Sequence, residues 1–237
     1  MSNITKNIEE IQVVVIDIDG TITDELNRVD IEAIKRIREL ERNGYMTILA
    51  SGNALPVVKG VSHYLGSSGP AIGEAGCAFE YMGEIYILGD PDRTMEALNK
   101  LRVRFGPRLK ESWSNVYRHV DKAIKPTIPR DKIEAVVKDM EDIVILDSKF
   151  AYHIHPRDVD KYNALEVISH LINLPLEYFA AIGDSELDVR MIREVGFGVA
   201  VSNADEKVKD AADYVTNQPM YKGFLEFTDI LLSRGVR

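Results

Sequence analysis

The chain has 237 residues, of which 45% are hydrophobic and 28% charged, a composition typical of a soluble protein of one or two domains with a substantial core. Its 38 acidic residues outnumber its 29 basic ones, so the formal net charge is −9, and no general attraction to nucleic acid or to an anionic membrane is expected. The single cysteine, Cys77, excludes an intrachain disulfide and a zinc site made of several cysteines. Residues 1–12 lack a signal-peptide pattern and no apolar run is long enough to span a membrane, so we expect a cytoplasmic protein.

The amino-terminal part of the chain alternates strands and helices. A buried strand is predicted over residues 11–17, and a helix follows with Asp30 as its N-cap and Gly44 just past its end. The segments YMTILAS, ALPVVKGVSHYLG and PAIG then have the patterns of a strand, a helix and a short strand. This order predicts a parallel α/β sheet with right-handed crossovers.

The same alternation returns near the carboxyl terminus. A helix is predicted over residues 161–172, followed by the strand FAAIGD, the helix SELDVRMIREVG, the strand FGVAV, the helix ADEKVKDAA, the strand YVT and a closing helix from about residue 223. Residues 1–82 and 158–237 are therefore expected to form one core domain with a Rossmann-like parallel sheet.

Residues 83–157 have a different pattern. The segments EIYIL and IVILDSKFAYHIHP are strand-like without intervening helices, whereas RTMEALNKLRVRF and RDKIEAVVKDME are helical. We therefore expect a smaller α+β module inserted into the core domain. Residues 100–130 hold nine basic and two acidic side chains, which form either a solvated surface or a set of cations that face an anionic substrate.

Asp17 and Asp19 lie at the carboxyl end of the first predicted strand, in the segment DIDGT. Ligands of open α/β sheets bind at this edge. A tight turn at Asp19 and Gly20, supported by Thr21, is a sufficient structural reason for the last part of the segment. It does not account for Asp17, because a carboxylate in a buried strand is costly unless it is paired, hydrogen-bonded or bound to metal.

Two further features follow the same logic. Ser51, Gly52 and Asn53 come after the second strand, where the serine either caps the next helix or joins the following amides in an anion-binding helix start. Lys161 lies near the start of a predicted helix, where a positive charge opposes the helix dipole unless a phosphate is bound nearby.

Asp184 and Asp188 follow the strand FAAIG. Acids in the first turn of a helix are ordinary caps. Together with Asp17 from a neighbouring strand end, however, they supply carboxylate oxygens of the kind that suit Mg²⁺.

The order DIDGT, SGN, Lys161 and GDSELD resembles the four motifs of the haloacid dehalogenase superfamily of aspartate-nucleophile phosphatases. The match spans almost the whole core domain, and the position of the insert resembles that of a C2-type cap. The overall length, the short α+β cap and the segments SGP and GEAG are similar to archaeal-type phosphoglycolate phosphatases. Two departures from the family pattern are Tyr162, where relatives often have glycine, and Ala75, where they often have a polar residue.

The resemblance implies a Mg²⁺-dependent phosphatase that works through an aspartyl phosphate. Asp17 would be the nucleophile, and Asp19 the general acid and then the general base. Mg²⁺ would bind Asp17, the main-chain carbonyl of Asp19 and Asp184, with Asp188 as a further ligand or as a support for one.

The resemblance also implies which residues bind the substrate. Ser51, Gly52, Asn53 and Lys161 would hold the phosphoryl oxygens, and Asn203 in VSNAD is a further candidate. The expected partner is a small anionic phosphate ester, with no nucleic acid and no membrane. A homodimer is left open.

The substrate expected first is 2-phosphoglycolate, for which the cap must supply cations or donors to the distal carboxylate. The candidates are Arg118, His119, Lys122 and Lys125 in VYRHVDKAIK. A strand in this segment would point Arg118 and Lys122 to one face, and His119 and Asp121 to the other.

His153 and His155 also share a strand face, and two histidines at this spacing can bind a metal. Because no third ligand is in sight, we interpret them as structural or surface histidines. Thr21 is interpreted as support for the turn, and Asp24 as an exposed acid without a catalytic part.

Two other functions stay open. A sugar-phosphate phosphatase or a phosphomutase of the same superfamily fits the same motifs, since the sequence does not decide between sugar and glycolate. A signalling module that accepts a phosphoryl group also gathers acids, a serine or threonine and a lysine at strand ends, but such modules are much shorter and have no cap.

Overall fold

The computed structural model describes residues 8–234 of the chain. Residues 1–7 and 235–237 lie outside the described residues. They include both ends of the predicted core domain and the first part of the amino-terminal segment 1–12. The described part contains the strands β1 (Val13–Asp17), β2 (Met46–Ala50), β3 (Ala71–Gly73), β4 (Ala78–Tyr81), β5 (Glu84–Ile87), β6 (Lys122–Ile124), β7 (Ile143–Asp147), β8 (Tyr152–Pro156), β9 (Phe179–Gly183), β10 (Phe197–Ala200) and β11 (Tyr214–Val215). It contains the helices α1 (Ile31–Arg42), α2 (Leu55–Leu65), α3 (Pro91–Phe105), α4 (Arg130–Val137), α5 (Lys161–Leu171), α6 (Val189–Glu194), α7 (Glu206–Ala211) and α8 (Met220–Arg234). None of these helices is long and apolar enough to cross a membrane.

Eight strands form one large sheet in the order β11-β10-β9-β1-β2-β3-β4-β5. The six strands from β11 to β3 are parallel, and β4 and β5 are antiparallel at one edge. Helices flank this sheet, and the order of strands along the chain requires crossovers between them. The Rossmann-like α/β core predicted from the sequence is confirmed.

The central strand β1 shows why the alternation of strands and helices could be predicted from the sequence. Residues 13–16 of this strand are at most 1% exposed, because a parallel strand in such a fold is covered on both faces. The following helix α1 begins where predicted, since Asp30 accepts a hydrogen bond from the Glu32 backbone N–H at 2.8 Å. It ends before Gly44, whose φ of +87° suits only glycine well.

One strand lies outside the module to which its pattern assigned it. The segment EIYIL was expected in the inserted module, but β5 pairs with β4 at the edge of the large sheet, with Tyr81 opposite Glu84. Met82 and Gly83 have φ values of 53° and 88° and form a two-residue hairpin turn, which joins the two strands as neighbours. The assignment of this strand was therefore wrong, while the division of the chain into core and insert stays a proposal.

The segment that begins with α3 and ends with β8 forms a second, three-stranded antiparallel sheet in the order β6-β8-β7. Helices α3 and α4 pack on each other and on strands of this sheet. Its buried apolar residues form a cluster of their own, which comprises Ala97, Leu98, Leu101, Phe105, Leu109, Ile124, Ile128, Ile133, Val137, Met140, Ile143, Ile145 and Ile154. This segment therefore has the predicted α+β character and a separate core.

We predict that the substitution Leu101→Ala lowers the free energy of unfolding by about 2–5 kcal/mol, because it removes methyl groups from this core and leaves a cavity. The matched control is Val103→Ala on the same helix, since Val103 is 89% exposed and Leu101 is 0% exposed. The control is expected to change stability by less than about 0.5 kcal/mol. Urea unfolding of both variants checks this, and equal small losses would contradict the assignment of this core.

Candidate active site

The residues singled out in the sequence meet at the carboxyl edge of the large sheet. Asp17 is the last residue of β1 and lies opposite Ala50, the last residue of β2. Ser51 follows β2 directly, and Asp184 follows β9, the other neighbour of β1. Lys161 is the first residue of α5. Parallel pairing of β1 with both neighbours therefore brings these side chains together.

The ammonium group of Lys161 lies at the centre of the site and is completely buried. Its Nζ donates to Oδ1 of Asp17 at 2.6 Å, to Oδ1 of Asp188 at 2.6 Å and to the carbonyl oxygen of Ala50 at 3.0 Å. Burial lowers the pKa of Lys161, but the charges of the two carboxylates outweigh this effect and hold the pKa above its usual value. All three protons of the ammonium are engaged, so a phosphoryl oxygen would have to share one of them.

Two local features hold Lys161 in place. Asp160 accepts from the backbone N–H of Asn163 while the Asn163 side chain accepts from that of Asp160, both at 3.0 Å, and together they cap α5. Gly76 has a φ of +105°, and a Cβ atom there would lie 2.0 Å from the Asp160 carbonyl oxygen. The GEAG segment can therefore pack against the start of α5 only with glycine at this position.

The two departures from the family pattern leave this centre intact. The guanidinium of Arg190 lies over the ring of Tyr162, with its Cζ atom 4.4 Å from the ring centroid. The backbone N–H of Ala75 donates to the carbonyl oxygen of Ser51 at 3.1 Å. Neither residue replaces a group that contacts Asp17.

Asp17, Asp184 and Asp188 form a cluster of three buried acids, each with an oxygen within 4.8 Å of the others. Burial raises the pKa of Asp17, the carboxylates of Asp188 and Asp184 raise it further, and Lys161 lowers it. Burial and Asp188 also raise the pKa of Asp184 to about 6. Three carboxylates outnumber the two ammonium groups that bind them, those of Lys161 and Lys149, and their hard oxygen donors fit a divalent cation such as Mg²⁺.

Both oxygens of Asp188 are held by the protein, as are those of Asp17. Oδ1 accepts from Lys161, and Oδ2 accepts from the backbone N–H groups of Asp184 and Ser185 and from the Ser185 hydroxyl at 3.0–3.2 Å. These bonds fix the loop that carries Asp184. A Cβ atom at Gly183 would lie 2.5 Å from Cγ of Asp188, which explains the glycine in the GD pair.

Glycine is also required next to Asp19. Gly20 has a φ of +82°, and a Cβ atom there would lie 2.4 Å from Oδ2 of Asp184. The turn itself is closed by Thr23, whose hydroxyl accepts from the Gly20 backbone N–H at 2.9 Å. Thr21, interpreted above as support for the turn, instead donates its hydroxyl proton to Oδ2 of Asp17 at 3.0 Å.

Asp19 is bound by the segment that follows β2. Its Oδ2 accepts from the side-chain amide of Asn53 at 2.7 Å and from the hydroxyl of Ser51 at 3.2 Å. Burial raises the pKa of Asp19, although these hydrogen bonds oppose the change. A carboxyl group with a raised pKa is suited to donate a proton.

Asn203 lies beside this turn. Its side-chain N–H donates to the carbonyl oxygen of Gly20 at 3.1 Å, and its side-chain oxygen accepts from the Met220 backbone N–H at 2.7 Å. These bonds position the turn after β1. Its predicted contact with phosphate stays a prediction.

Asp24 lies away from the acids. It pairs with Arg28 at 2.6 Å and accepts from the backbone N–H of Leu26 at 2.9 Å, with 22% of its side chain exposed. It is partly rather than fully exposed, and its contacts order a surface loop.

A cavity of about 200 Å³ opens beside these residues, between the large sheet and the inserted segment. Asp17, Asp19, Gly52 and Asn53 contribute to one side. The inserted segment contributes further polar and aromatic lining, which includes Ser112, Trp113, Ser114, Arg118, Ser148, Phe150 and His153.

Only one of the four predicted cap cations lines this cavity. Arg118 donates through Nη2 to the carbonyl oxygen of Gly52 at 2.8 Å, so it contacts the SGN segment directly. Lys122 is buried and donates to the Arg118 carbonyl oxygen at 3.0 Å, whereas Lys125 is exposed elsewhere. His119 does not line the cavity either. The predicted faces were wrong because β6 begins only at Lys122, and the preceding residues turn.

Asp121 holds Arg118 in place. The carboxylate is completely buried, forms an ion pair with Arg118 and accepts a hydrogen bond from Nδ1 of His153 at 2.8 Å. Burial opposes ionisation, but the charges of His153 and Arg118 together hold the pKa of Asp121 well below its usual range. His153 and His155 are both buried, so they are structural rather than surface histidines, and His153 also lines the cavity.

Sequence reasoning missed residues that connect the inserted segment to the sheet edge, among them Lys149 and Glu74. Lys149 donates to Oδ2 of Asp184 at 2.8 Å and to the Asp184 carbonyl oxygen at 3.1 Å. Glu74 accepts from the backbone N–H groups of His119 and Val120 at 2.8 and 2.9 Å. Neither pair is close in sequence, and the one available signal was the GEAG segment that contains Glu74.

Comparisons with known proteins identify the family of this chain. A family model described as haloacid dehalogenase-like hydrolase matches residues 14–102 and 92–227. The chain is 35% identical over 224 residues to a protein of Saccharolobus solfataricus named phosphoglycolate phosphatase 1, with 94% of this chain and 96% of that relative covered. It is 33% identical over 217 residues to a phosphoglycolate phosphatase of Methanospirillum hungatei, with 90% and 93% covered.

Solved structures share the whole fold. The crystal structure of Thermoplasma acidophilum 0175 has a TM-score of 0.85 and 25% identity, with 94% of this chain and 98% of that chain covered. A haloacid dehalogenase-like hydrolase of Bacteroides thetaiotaomicron has a TM-score of 0.77 at 19% identity and shows the same fold. The resemblance inferred from the motifs is thus confirmed over both the large sheet and the insert. The chain belongs to the haloacid dehalogenase-like hydrolase family.

Proposed function

We propose that this protein is a Mg²⁺-dependent phosphatase that hydrolyses a small phosphorylated acid, with 2-phosphoglycolate as the first candidate. The observation that carries the proposal is the meeting of Asp17, Asp19 and Lys161 at the end of β1, beside a cavity of about 200 Å³. This volume is below the range of pockets that hold drug-sized ligands, which supports a small substrate. The names of the relatives support the choice of phosphoglycolate.

In the proposed reaction the Asp17 carboxylate attacks phosphorus in line and forms an aspartyl phosphate, while Asp19 gives its proton to the leaving oxygen. Asp19 then takes a proton from the water that attacks the same phosphorus, which releases inorganic phosphate and restores Asp17. Lys161 binds one oxygen of Asp17 and Thr21 the other, so the plane of the nucleophilic carboxylate is fixed before substrate arrives. Such positioning is the main contribution a protein makes to phosphoryl transfer.

We further propose that Asp17, Asp184 and the main-chain carbonyl of Asp19 hold the Mg²⁺ ion. Asp188 supports this group through the Asp184 loop, or is itself a ligand. The bound ion supplies positive charge that offsets the repulsion between the acids and a phosphate dianion. The inserted segment acts as the cap of this site, because it contributes Arg118 to the cavity wall.

The substrate proposal predicts that the wild-type enzyme with Mg²⁺ has a kcat/KM for 2-phosphoglycolate at least roughly tenfold above that for glucose 6-phosphate, since the cavity suits a small acid. Phosphate release across these esters is the measurement. An equal response to both would contradict the choice of substrate, and an isomeric sugar phosphate as product would favour a phosphomutase. No release from any ester would contradict the phosphatase itself.

The metal proposal predicts that Asp184→Asn raises the Mg²⁺ concentration needed for half-maximal activity by about tenfold or more, because the site loses a charged ligand. The matched control is Asp205→Asn. Asp205 lies 3.5 Å from Lys149, as a second acid near the same lysine, but it does not belong to the three-acid cluster. Mg²⁺ titrations after chelator treatment check this. Similar shifts in both variants would contradict the assignment of Asp184.

A further inference from the structure

The cavity wall carries one permanent positive charge. Among the described residues that line it, Arg118 is the single lysine or arginine, and the other ionisable groups are Asp17, Asp19 and His153. The three protons of Lys161 are already bound to Asp17, Asp188 and the Ala50 carbonyl oxygen. A substrate with a second anionic group would therefore find its charged partner at Arg118.

The guanidinium of Arg118 is held on three of its nitrogens. Nε donates to the hydroxyl of Ser114 at 3.2 Å, Nη2 donates to the Gly52 carbonyl oxygen at 2.8 Å, and Nη1 binds Asp121. A guanidinium has five N–H groups, so one remains on each terminal nitrogen. The side chain is only 3% exposed, and this fixed arrangement lowers the entropic cost of binding a carboxylate.

Arg118 also contacts the segment that binds Asp19. The guanidinium contacts Gly52, whose neighbour Ser51 donates to Asp19 at 3.2 Å. The cationic group and the proton-transferring acid are thus linked through two adjacent residues of the SGN segment. Arg118, Asp17 and Asp19 also line the same cavity of about 200 Å³, which suits a small ester that carries both a carboxylate and a phosphate.

We propose that Arg118 is the residue that determines specificity for the carboxylate of the substrate, an inference that rests on the proposed phosphatase function. Ser114, Asp121 and Gly52 are positioning groups that orient its guanidinium. The carboxylate binds to the N–H groups that these contacts leave available. Arg118 therefore selects phosphorylated acids over neutral phosphate esters of the same size.

The test compares 2-phosphoglycolate with 2-hydroxyethyl phosphate, in which an alcohol replaces the carboxylate. In Arg118→Gln, the ratio of kcat/KM for the acid to kcat/KM for the alcohol is expected to fall roughly 10- to 100-fold, mainly through KM for the acid. The matched control is Lys125→Gln, which removes a charge from an exposed position of the same segment. Its ratio is expected to equal that of the wild type.

A second variant serves as a control for misfolding, because Arg118→Gln leaves the buried carboxylate of Asp121 without one of its charged partners. Arg118→Lys keeps that charge but loses the bidentate hydrogen bonding of the guanidinium. The ratio of kcat/KM for the acid to kcat/KM for the alcohol is therefore expected to fall by a smaller factor than in Arg118→Gln. Urea unfolding confirms which variants are folded.

The outcomes separate the two proposals. A wild-type enzyme that hydrolyses neither ester contradicts the proposed function, whereas one that hydrolyses both equally well contradicts the selection of phosphorylated acids by Arg118. A wild-type preference for the acid that survives in both Arg118 variants contradicts the role of Arg118 alone. Equal losses for both esters in a folded Arg118→Gln variant also overturn it, since Arg118 would then only order the cap.

Discussion

The buried ammonium of Lys161 is the interaction on which the site depends. It is 0% exposed and binds Asp17, Asp188 and the end of β2 at once. An ammonium removed from water is tolerated only when opposite charges and hydrogen bonds replace its hydration. The positive charge of Lys161 also allows the carboxylates of Asp17 and Asp188 to lie close together although they carry like charges. The three motif segments that supply these groups are far apart in sequence, and Lys161 joins them at one place in the fold.

The inserted segment reaches the same edge of the sheet through several polar contacts, three of which lie next to the site. Arg118 binds the Gly52 carbonyl oxygen, Lys149 binds Asp184, and Glu74 accepts from two backbone N–H groups next to Arg118. Each contact joins the insert to a group beside the three acids or to the SGN segment. Of the three side chains that make these contacts, Arg118 also lines the cavity, so one residue contributes both to the cavity wall and to the position of the SGN segment.

The fold and the centre of the site were predictable because their signals are local. The β-branched run of β1, the Asp30 cap and the spacing of DIDGT and GDSELD each follow from a few neighbouring residues. The Gly20 and Gly183 positions have a physical reason, since any larger residue would collide with Asp184 or Asp188. The motif glycines and acids therefore form one packed unit.

The rest depended on contacts between distant segments, which a single sequence does not reveal. The strand EIYIL was misplaced because its partner is decided by the turn at Met82 and Gly83 rather than by its own pattern. Lys149 lies in a segment without any motif. The basic stretch of the insert predicted several cations that face the substrate. Of these, Arg118 lines the cavity, because the chain turns before β6 begins at Lys122.

The assignment of Asp17 as the nucleophile is tested most directly by trapping its phosphorylated form. The Asp19→Asn variant is mixed with para-nitrophenyl phosphate, whose leaving group needs no proton, and then quenched in acid and digested for mass spectrometry. A phosphoryl group on the peptide that contains Asp17 is predicted, because attack proceeds while hydrolysis lacks its base. The same treatment of Asp17→Asn should yield no phosphorylated peptide. A phosphoryl group on another residue, or stoichiometric release of para-nitrophenol without any phosphorylated peptide, would contradict the assignment.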